Sequence, residues 1–198
     1  MSENFNISKG EGFGNYMQHP HSMGFRTHGA EGREDPSKLL SSLIPHRVES
    51  IADIGCGTGF YSKYLLNYAS RVYCIDINND SLVAASESIK SERLVCLNVS
   101  GEDTNLPSNS VDIVFMANSF HDMADKEAAA KEVERILVEG GKLIVIDWKK
   151  DSTFGPPQYL KLSEDNYIKY FNNLSLEKSF DFEMQHYCLV FSKPAAHK

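Results

Sequence analysis

From Val48 to Trp148, short apolar runs of strand length alternate with amphipathic stretches of helical period. "VESIADIG" (Val48 to Gly55), "RVYCIDI" (Arg71 to Ile77), "RLVCLNV", "VDIVFMAN" and "KLIVIDW" read as strands. Between them "TGFYSKYLLNYA" reads as a helix, and so does "NDSLVAASESIK", which an Asn or Asp would cap. The run "DKEAAAKEVERILVEGG" puts Val133, Ile136 and Leu137 on one helical face, with Gly140 where a glycine following a helix belongs. Strands apolar on both faces and alternating with helices predict a parallel sheet covered on each side, joined by right-handed crossovers.

The two flanks differ from this core. Residues 1 to 36, rich in Gly, His, Asn and Ser and without a sustained period, read as an irregular N-terminal arm, and 37 to 198 as one domain. "DPSKLLSSLIP" predicts a short helix with Asp35 as N-cap and Pro36 at the first helical position. After Trp148, "DSTFGPPQY" reads as a loop and "SEDNYIKYFNNL" as a helix. "LSLEKSFDF" and "HYCLVFSK" read as strands so closely joined that they must pair antiparallel. The sheet is therefore expected to be parallel except for one reversed strand at its end.

Charge narrows the partners. A formal net charge of -7 argues against a surface that neutralises phosphates, so nucleic acid is not expected. No apolar run reaches the roughly 20 residues that span a bilayer, and the N-terminus lacks the pattern of a signal peptide, which together predict a cytoplasmic protein without membrane insertion. Cys56, Cys74, Cys96 and Cys188 are too widely spaced for a zinc or disulfide framework and read as reduced and structural.

The chemistry concentrates in "DIGCGTG", Asp53 to Gly59, at the end of the first strand. In an open α/β sheet, ligands lie at the carboxyl ends of the strands, and closely spaced glycines let backbone approach one. A dinucleotide fingerprint needs a small residue five places after Gly55, where this chain has Phe60, so NAD is disfavoured. No Gly-Lys-Ser/Thr follows, which excludes a P-loop. Asp76 ends the second strand, where a carboxylate can accept both hydroxyls of a ribose; its alternative is a cap for the helix beginning near Asn79.

"IADIGCGTGFYSKYL", "VYCIDIN", "GEDTNLPSNSVDIVFMANSFHDM" and "EVERILVEGGKLIVIDW", in this order and spacing, resemble the class I S-adenosylmethionine-dependent methyltransferases. The resemblance is to the type 11 branch, which includes the ubiquinone and menaquinone biosynthesis enzymes. It implies a Rossmann-like, seven-stranded sheet with a reversed last strand, S-adenosylmethionine as cofactor and a small molecule as the expected methyl acceptor. By the same resemblance Gly55, Cys56, Gly57 and Gly59 form the cofactor loop, Gly55 and Gly57 admitting the methionyl part, and Asp53 helps bind its ammonium group. Asp76 takes the ribose hydroxyls, Ile77 packs on adenine, and Asn118 faces the methionyl end. The family often has Gly-Asp-Ala where this chain has Gly101, Glu102 and Asp103; Glu102 with the backbone of Asp103 is the expected adenine partner.

Methyl transfer needs in-line positioning and removal of a proton from the acceptor. His121 in "NSFHDM" is the candidate base, its alternative being an ordinary loop or cap histidine. Asp122 reads as the N-cap of the helix near Asp125, and Asp147 and Trp148 follow the fifth strand at the same edge. "GPPQY" has the look of the proline-tyrosine signature of amino-group methyltransferases, but that signature belongs after the fourth strand and this stretch follows the fifth. In "GFGNYMQHPHSMGFRTHG", the residues Tyr16, His19, His21, Phe25, Arg26 and His28 make three readings possible: a lid over cofactor and substrate, a passive arm, or a metal site using two or more histidines. Two other functions compete with a small-molecule methyltransferase: a cofactor-binding but non-catalytic protein, and a protein methyltransferase. The sequence specifies neither the acceptor atom nor the oligomeric state.

Overall fold

The computed structural model describes residues 36–195. The seven strands are β1 (Val48–Ile54), β2 (Ala69–Ile75), β3 (Leu94–Leu97), β4 (Val111–Ala117), β5 (Leu137–Trp148), β6 (Ser175–Phe182) and β7 (His186–Ser192). The helices are α1 (Pro36–Leu43), α2 (Phe60–Leu65), α3 (Asn79–Ile89), α4 (Lys126–Ile136) and α5 (Glu164–Tyr170), with a single 3-10 turn at Phe120–Asp122. The strands form one sheet in the order β3-β2-β1-β4-β5-β7-β6. β7 pairs antiparallel with both β5 and β6, while the pairs among β1 to β5 are parallel. The reversed strand is thus last in sequence but sits in space between β5 and β6, because the tight β6–β7 hairpin folds it back into the gap. All the described residues belong to the unit Glu34–Lys198.

Alternation along the strands sends successive side chains to opposite faces, and two cores result. On one face Ala52, Ile54, Val114, Met116 and Val145 pack with Ala129, Val133 and Ile136 of α4 and with Tyr167 and Phe171 on or beside α5. On the other, Ile51, Val72, Phe115 and Ile146 pack with Leu39, Leu40 and Leu43 of α1 and Leu65 of α2. Cys74 packs with Leu82 and Ala85 of α3, next to Cys56 and Cys96, and the four cysteines are free thiols. Burial raises the Cys188 thiol to about 12 and the Cys96 thiol to about 11, which suits packing rather than nucleophilic chemistry.

Several local expectations change. The first core helix ends at Leu65 and β2 begins at Ala69, earlier than the Arg71 expected, because Ala69 already pairs with Val48. α3 is capped by Asn78, whose side chain accepts from the Ser81 N–H at 3.1 Å. α4 is capped by Asp125, which accepts from the Ala128 N–H at 2.9 Å; Asp122 lies in the preceding 3-10 turn and is not the cap. α4 stops at Ile136, and Leu137 is already extended. Gly140 therefore follows no helix directly. It sits in β5 at φ 75°, where the chain loops out between the pairs Val111–Leu137 and Ile113–Lys142. The apolar character shared by Ile136 and Leu137 conceals that change of period.

Candidate active site at the carboxyl edge of the sheet

The strand order reverses between β1 and β4, and the crevice outside their carboxyl ends is where such sheets take ligands. Two loops meet there. After β1 the chain turns through Gly55, Gly57 and Gly59 at φ 75°, 53° and 80°, a conformation that excludes most side chains. After β4 it turns at Asn118, also left-handed at φ 54°. The Ser119 hydroxyl donates to the Ile54 carbonyl at 2.7 Å and joins the two turns.

The three glycines have different reasons. A Cβ on Gly55 would lie 2.3 Å from the Ser119 Cβ, so this glycine lets the two loops close together. A Cβ on Gly59 would come within 2.8 Å of Ile89 and 3.0 Å of Ala85, so this one lets α3 pack. A Cβ on Gly57 would meet nothing within 4 Å. Only at Gly57 does the missing side chain open onto free space, with its N–H held 2.8 Å from Asp76 Oδ2.

Asp76 uses its other oxygen to accept from the Asn78 N–H at 2.8 Å. It thus shapes the approach to α3 without being its cap, and both oxygens stay at the end of β2 beside the glycine loop. Ile77, next along, is 77% exposed, as an apolar side chain offered to a flat ligand would be. Asn118 adds a polar atom: its Oδ1 is buried and has no hydrogen-bond partner. Such an atom is costly in an apo protein and asks for a donor from elsewhere.

Asp53 lies beneath the loop, 2% exposed, accepting from the Ser62 hydroxyl at 2.6 Å. Burial pushes its pKa up to about 7, against the Ser62 hydrogen bond and with help from the charge of Asp76. Glu102 accepts from the backbone N–H groups of Ala124 at 3.1 Å and Asp125 at 3.3 Å, and from the Ser100 hydroxyl. Asp103 is exposed, its N–H donating to the Ser100 carbonyl at 3.2 Å. The loop that follows is fixed by a pair not anticipated from the sequence. Glu132 of α4 accepts from the Thr104 N–H at 2.8 Å and pairs with Arg135, which in turn donates to the Leu106 carbonyl at 2.7 Å.

The other half of the edge is built from side chains. His121, 3% exposed, places Nδ1 2.8 Å from Asp147 Oδ1 and Nε2 3.5 Å from Asp122 Oδ2. Asp147, at the end of β5, also accepts from the Trp148 N–H at 2.7 Å and from the Tyr167 hydroxyl. Burial pulls the His121 pKa down, but the hydrogen bond and charge of Asp147 and the charge of Asp122 outweigh it, and the value ends above the ordinary one. Tyr167, wholly buried beside Asp147, is held neutral well above the usual tyrosine range. Trp148 packs between His186 and Gly155. Its ring centroid lies 4.1 Å from that of His186, and a Cβ on Gly155 would come within 2.4 Å of the indole.

The structure therefore gathers Asp53, Gly57, Asp76, Ile77 and Asn118 around the end of β1, and His121, Asp147 and Trp148 around the end of β5. The arm residues Tyr16, His19, His21, Phe25, Arg26 and His28 lie outside the described residues. Two clefts among the described residues, one of about 410 Å³ between α4 and α5 and one of about 330 Å³ beside Lys149 and Tyr187, are lined by none of these groups. No helix among the described residues is long and apolar enough to cross a membrane.

Sheet order, crevice and glycine loop define a protein of the methyltransferase fold, and comparison with known proteins agrees. The methyltransferase domain family matches residues 52–145. A solved structure of a type 11 methyltransferase candidate from Sulfolobus solfataricus is 39% identical, with a TM-score of 0.75 over 83% of this chain and 95% of that one. The chain belongs to the type 11 methyltransferase family. Among curated relatives, the ubiquinone/menaquinone biosynthesis C-methyltransferase of Shewanella oneidensis is 31% identical over 50% of this chain and 43% of its own. The malonyl-[acyl-carrier protein] O-methyltransferase 2 of Ilyobacter polytropus is 29% identical over 66% and 51%. The chain spans about half, or less, of the length of the curated relatives it matches.

Proposed function

We propose that the protein binds S-adenosylmethionine at the β1–β4 crevice and transfers its methyl group to a small molecule. The observation that carries this reading is the free space over Gly57, bordered by Asp76; the turn after β4 adds the unpartnered buried Oδ1 of Asn118. The residues present fit the group: an acidic pair, an orphan acceptor and an exposed apolar side chain suit a ligand that carries ribose hydroxyls, an ammonium and a flat base. Asp76 would hold the ribose, Ile77 and the Glu102–Asp103 loop the adenine, and Gly55, Cys56, Gly57 and Gly59 the backbone wall of the methionyl part. Glu102 has lone pairs to spare for the adenine amino group beyond its three present donors. Asp53 and Asn118 would meet the ammonium. When bound, the cofactor supplies an electrophilic sulfonium methyl.

His121 is the group on this edge best suited to take the acceptor's proton. The curated relatives carry names that refer to tocopherol, quinone and malonyl-carrier acceptors, which supports a small acceptor here, free or on a carrier. The test is a screen with S-adenosylmethionine labelled in its methyl group, against metabolite pools and protein pools separately. Label in a metabolite fraction is expected. Label confined to protein would make it a protein methyltransferase, and binding without transfer to either pool would make it a non-catalytic cofactor protein.

A further inference from the structure

The side-chain half of the edge contains more than a lone histidine. His121 from the 3-10 turn, Asp147 from the end of β5 and Tyr167 from α5 are each nearly or wholly buried, and they meet on one carboxylate. Asp147 accepts from the Trp148 N–H, the Tyr167 hydroxyl and His121 Nδ1, so its lone pairs are directed by three elements at once. A carboxylate held this way fixes the tautomer of its imidazole, with the proton on Nδ1 and the lone pair on Nε2. Nε2 points the other way, to the rim, where Asp122 stands at 3.5 Å with its side chain largely in solvent.

We infer that Asp147 and Tyr167 are positioning residues that make His121 Nε2 the proton acceptor for a protic methyl acceptor, one whose reacting O–H or N–H must be lost. The inference rests on the methyl-transfer reading above. His121 Nε2 takes the acceptor's proton as the acceptor's lone pair bonds the methyl carbon and the carbon–sulfur electron pair stays on sulfur. The proton then leaves from Nε2 to water past Asp122. The groups facing the imidazole are Asp147 from β5, Asp122 on its own turn and Lys126 from α4, with Tyr167 from α5 and Tyr187 from β7 facing Asp147 behind it. Of these, Asp147 and Asp122 favour the imidazolium and Lys126 opposes it.

Tyr167 has a role that core packing would not require. Its hydroxyl donates to Asp147 and spreads the carboxylate's charge, which restrains how strongly Asp147 holds a proton on His121. Two substitutions should therefore act in opposite directions. Tyr167→Phe keeps the ring in its core and removes only the hydroxyl, so His121 should titrate at higher pH than in the parent. Asp147→Asn removes the charge, so His121 should titrate lower, under the influence of burial.

The experiment follows the His121 ring signal by NMR through a pH titration of the full chain, identified by its loss in His121→Asn, in the parent and both variants. Opposed shifts, with S-adenosylmethionine affinity by calorimetry unchanged within about twofold, are expected. Shifts of the same sign, or none, overturn the inference, as does a loss of kcat/KM in Tyr167→Phe that lies only in KM. If the parent transfers no methyl group but the opposed shifts appear, the network stands as described and the methyl-transfer reading fails, so the two failures are distinguishable.

Discussion

At the ends of β1, β2 and β4 the site is made of backbone and its immediate neighbours: three glycines in the left-handed region, one aspartate whose two oxygens bond N–H groups, and one orphan amide oxygen. At the end of β5 it is made of side chains brought together from residues 121, 147 and 167. The first half suits a ligand of fixed shape, because backbone cannot adapt. The second suits proton handling, because its charges are coupled and partly desolvated. A family can keep the first half and alter the second, which agrees with the different acceptors in the names of the relatives.

If the two halves are separable, damage to one should spare the other. The largest effect is expected from His121→Asn, which should lower turnover by about a hundredfold to ten-thousandfold and leave cofactor affinity nearly unchanged. Because the His121 pKa is raised, turnover in the parent should rise with pH, with its midpoint above the ordinary 6.5. For stability the sign is the same as for any raised group. The contribution is full below about pH 6.5 and is lost as pH rises through the folded value. Pre-steady-state rates across pH, beside calorimetry, check both halves; a fall in cofactor affinity as large as that in turnover would join them.

Asp53 tests the first half through stability. Its folded pKa of about 7 exceeds the ordinary value near 4, so the protonated form favours folding. The parent is most stable, as far as this group is concerned, below pH 4, and loses about 4 kcal/mol as pH rises from there to 7. Asp53→Asn cannot ionise. Its stability relative to the parent should therefore grow across that range in urea melts of the apo protein, while its cofactor affinity falls. A pH-independent difference would mean that Asp53 is not a strained carboxylate kept for the ligand.

Gly57→Val should weaken cofactor binding by about a hundredfold or more, since the side chain fills the free space and sits at a φ that costs roughly 1–2 kcal/mol. Circular dichroism should show the fold retained. Unchanged affinity in a folded variant would mean that the ligand approaches elsewhere. Asp76→Ala should cost about 1.5–3 kcal/mol of binding, the range for hydrogen bonds to a charged group. A loss below a few tenths would leave Asp76 with only its two backbone bonds.

The difference between the halves also explains what is legible in the sequence. Glycine spacing and an acid at a strand end are local signals, so Gly57 and Asp76 can be picked out from the order of residues alone, whereas Asn118 enters only through the family resemblance. The separate reasons for Gly55 and Gly59 cannot, because they depend on Ser119 and Ile89. His121 and Asp147 are visible as candidates at strand ends. Tyr167 is not: it lies within an ordinary amphipathic run, and its hydroxyl gains meaning only when α5 packs against β5. The same holds for the Glu132–Arg135 pair, which reads on α4 as a routine helix-surface ion pair but clamps Thr104 and Leu106. The misplaced boundaries share another cause. At Ile136–Leu137 two periods overlap in apolar residues, and at Asp122–Asp125 two acids compete for one cap, so composition does not separate them.

If the crevice over Gly57 holds S-adenosylmethionine, the chain must bind it with one site. Calorimetric titration of the purified chain with S-adenosylmethionine, and separately with NAD, tests it most directly. One equivalent of S-adenosylmethionine bound per chain, displaced by S-adenosylhomocysteine, with no heat from NAD, is the predicted result; saturable NAD binding, or no S-adenosylmethionine binding by a folded protein, would contradict it.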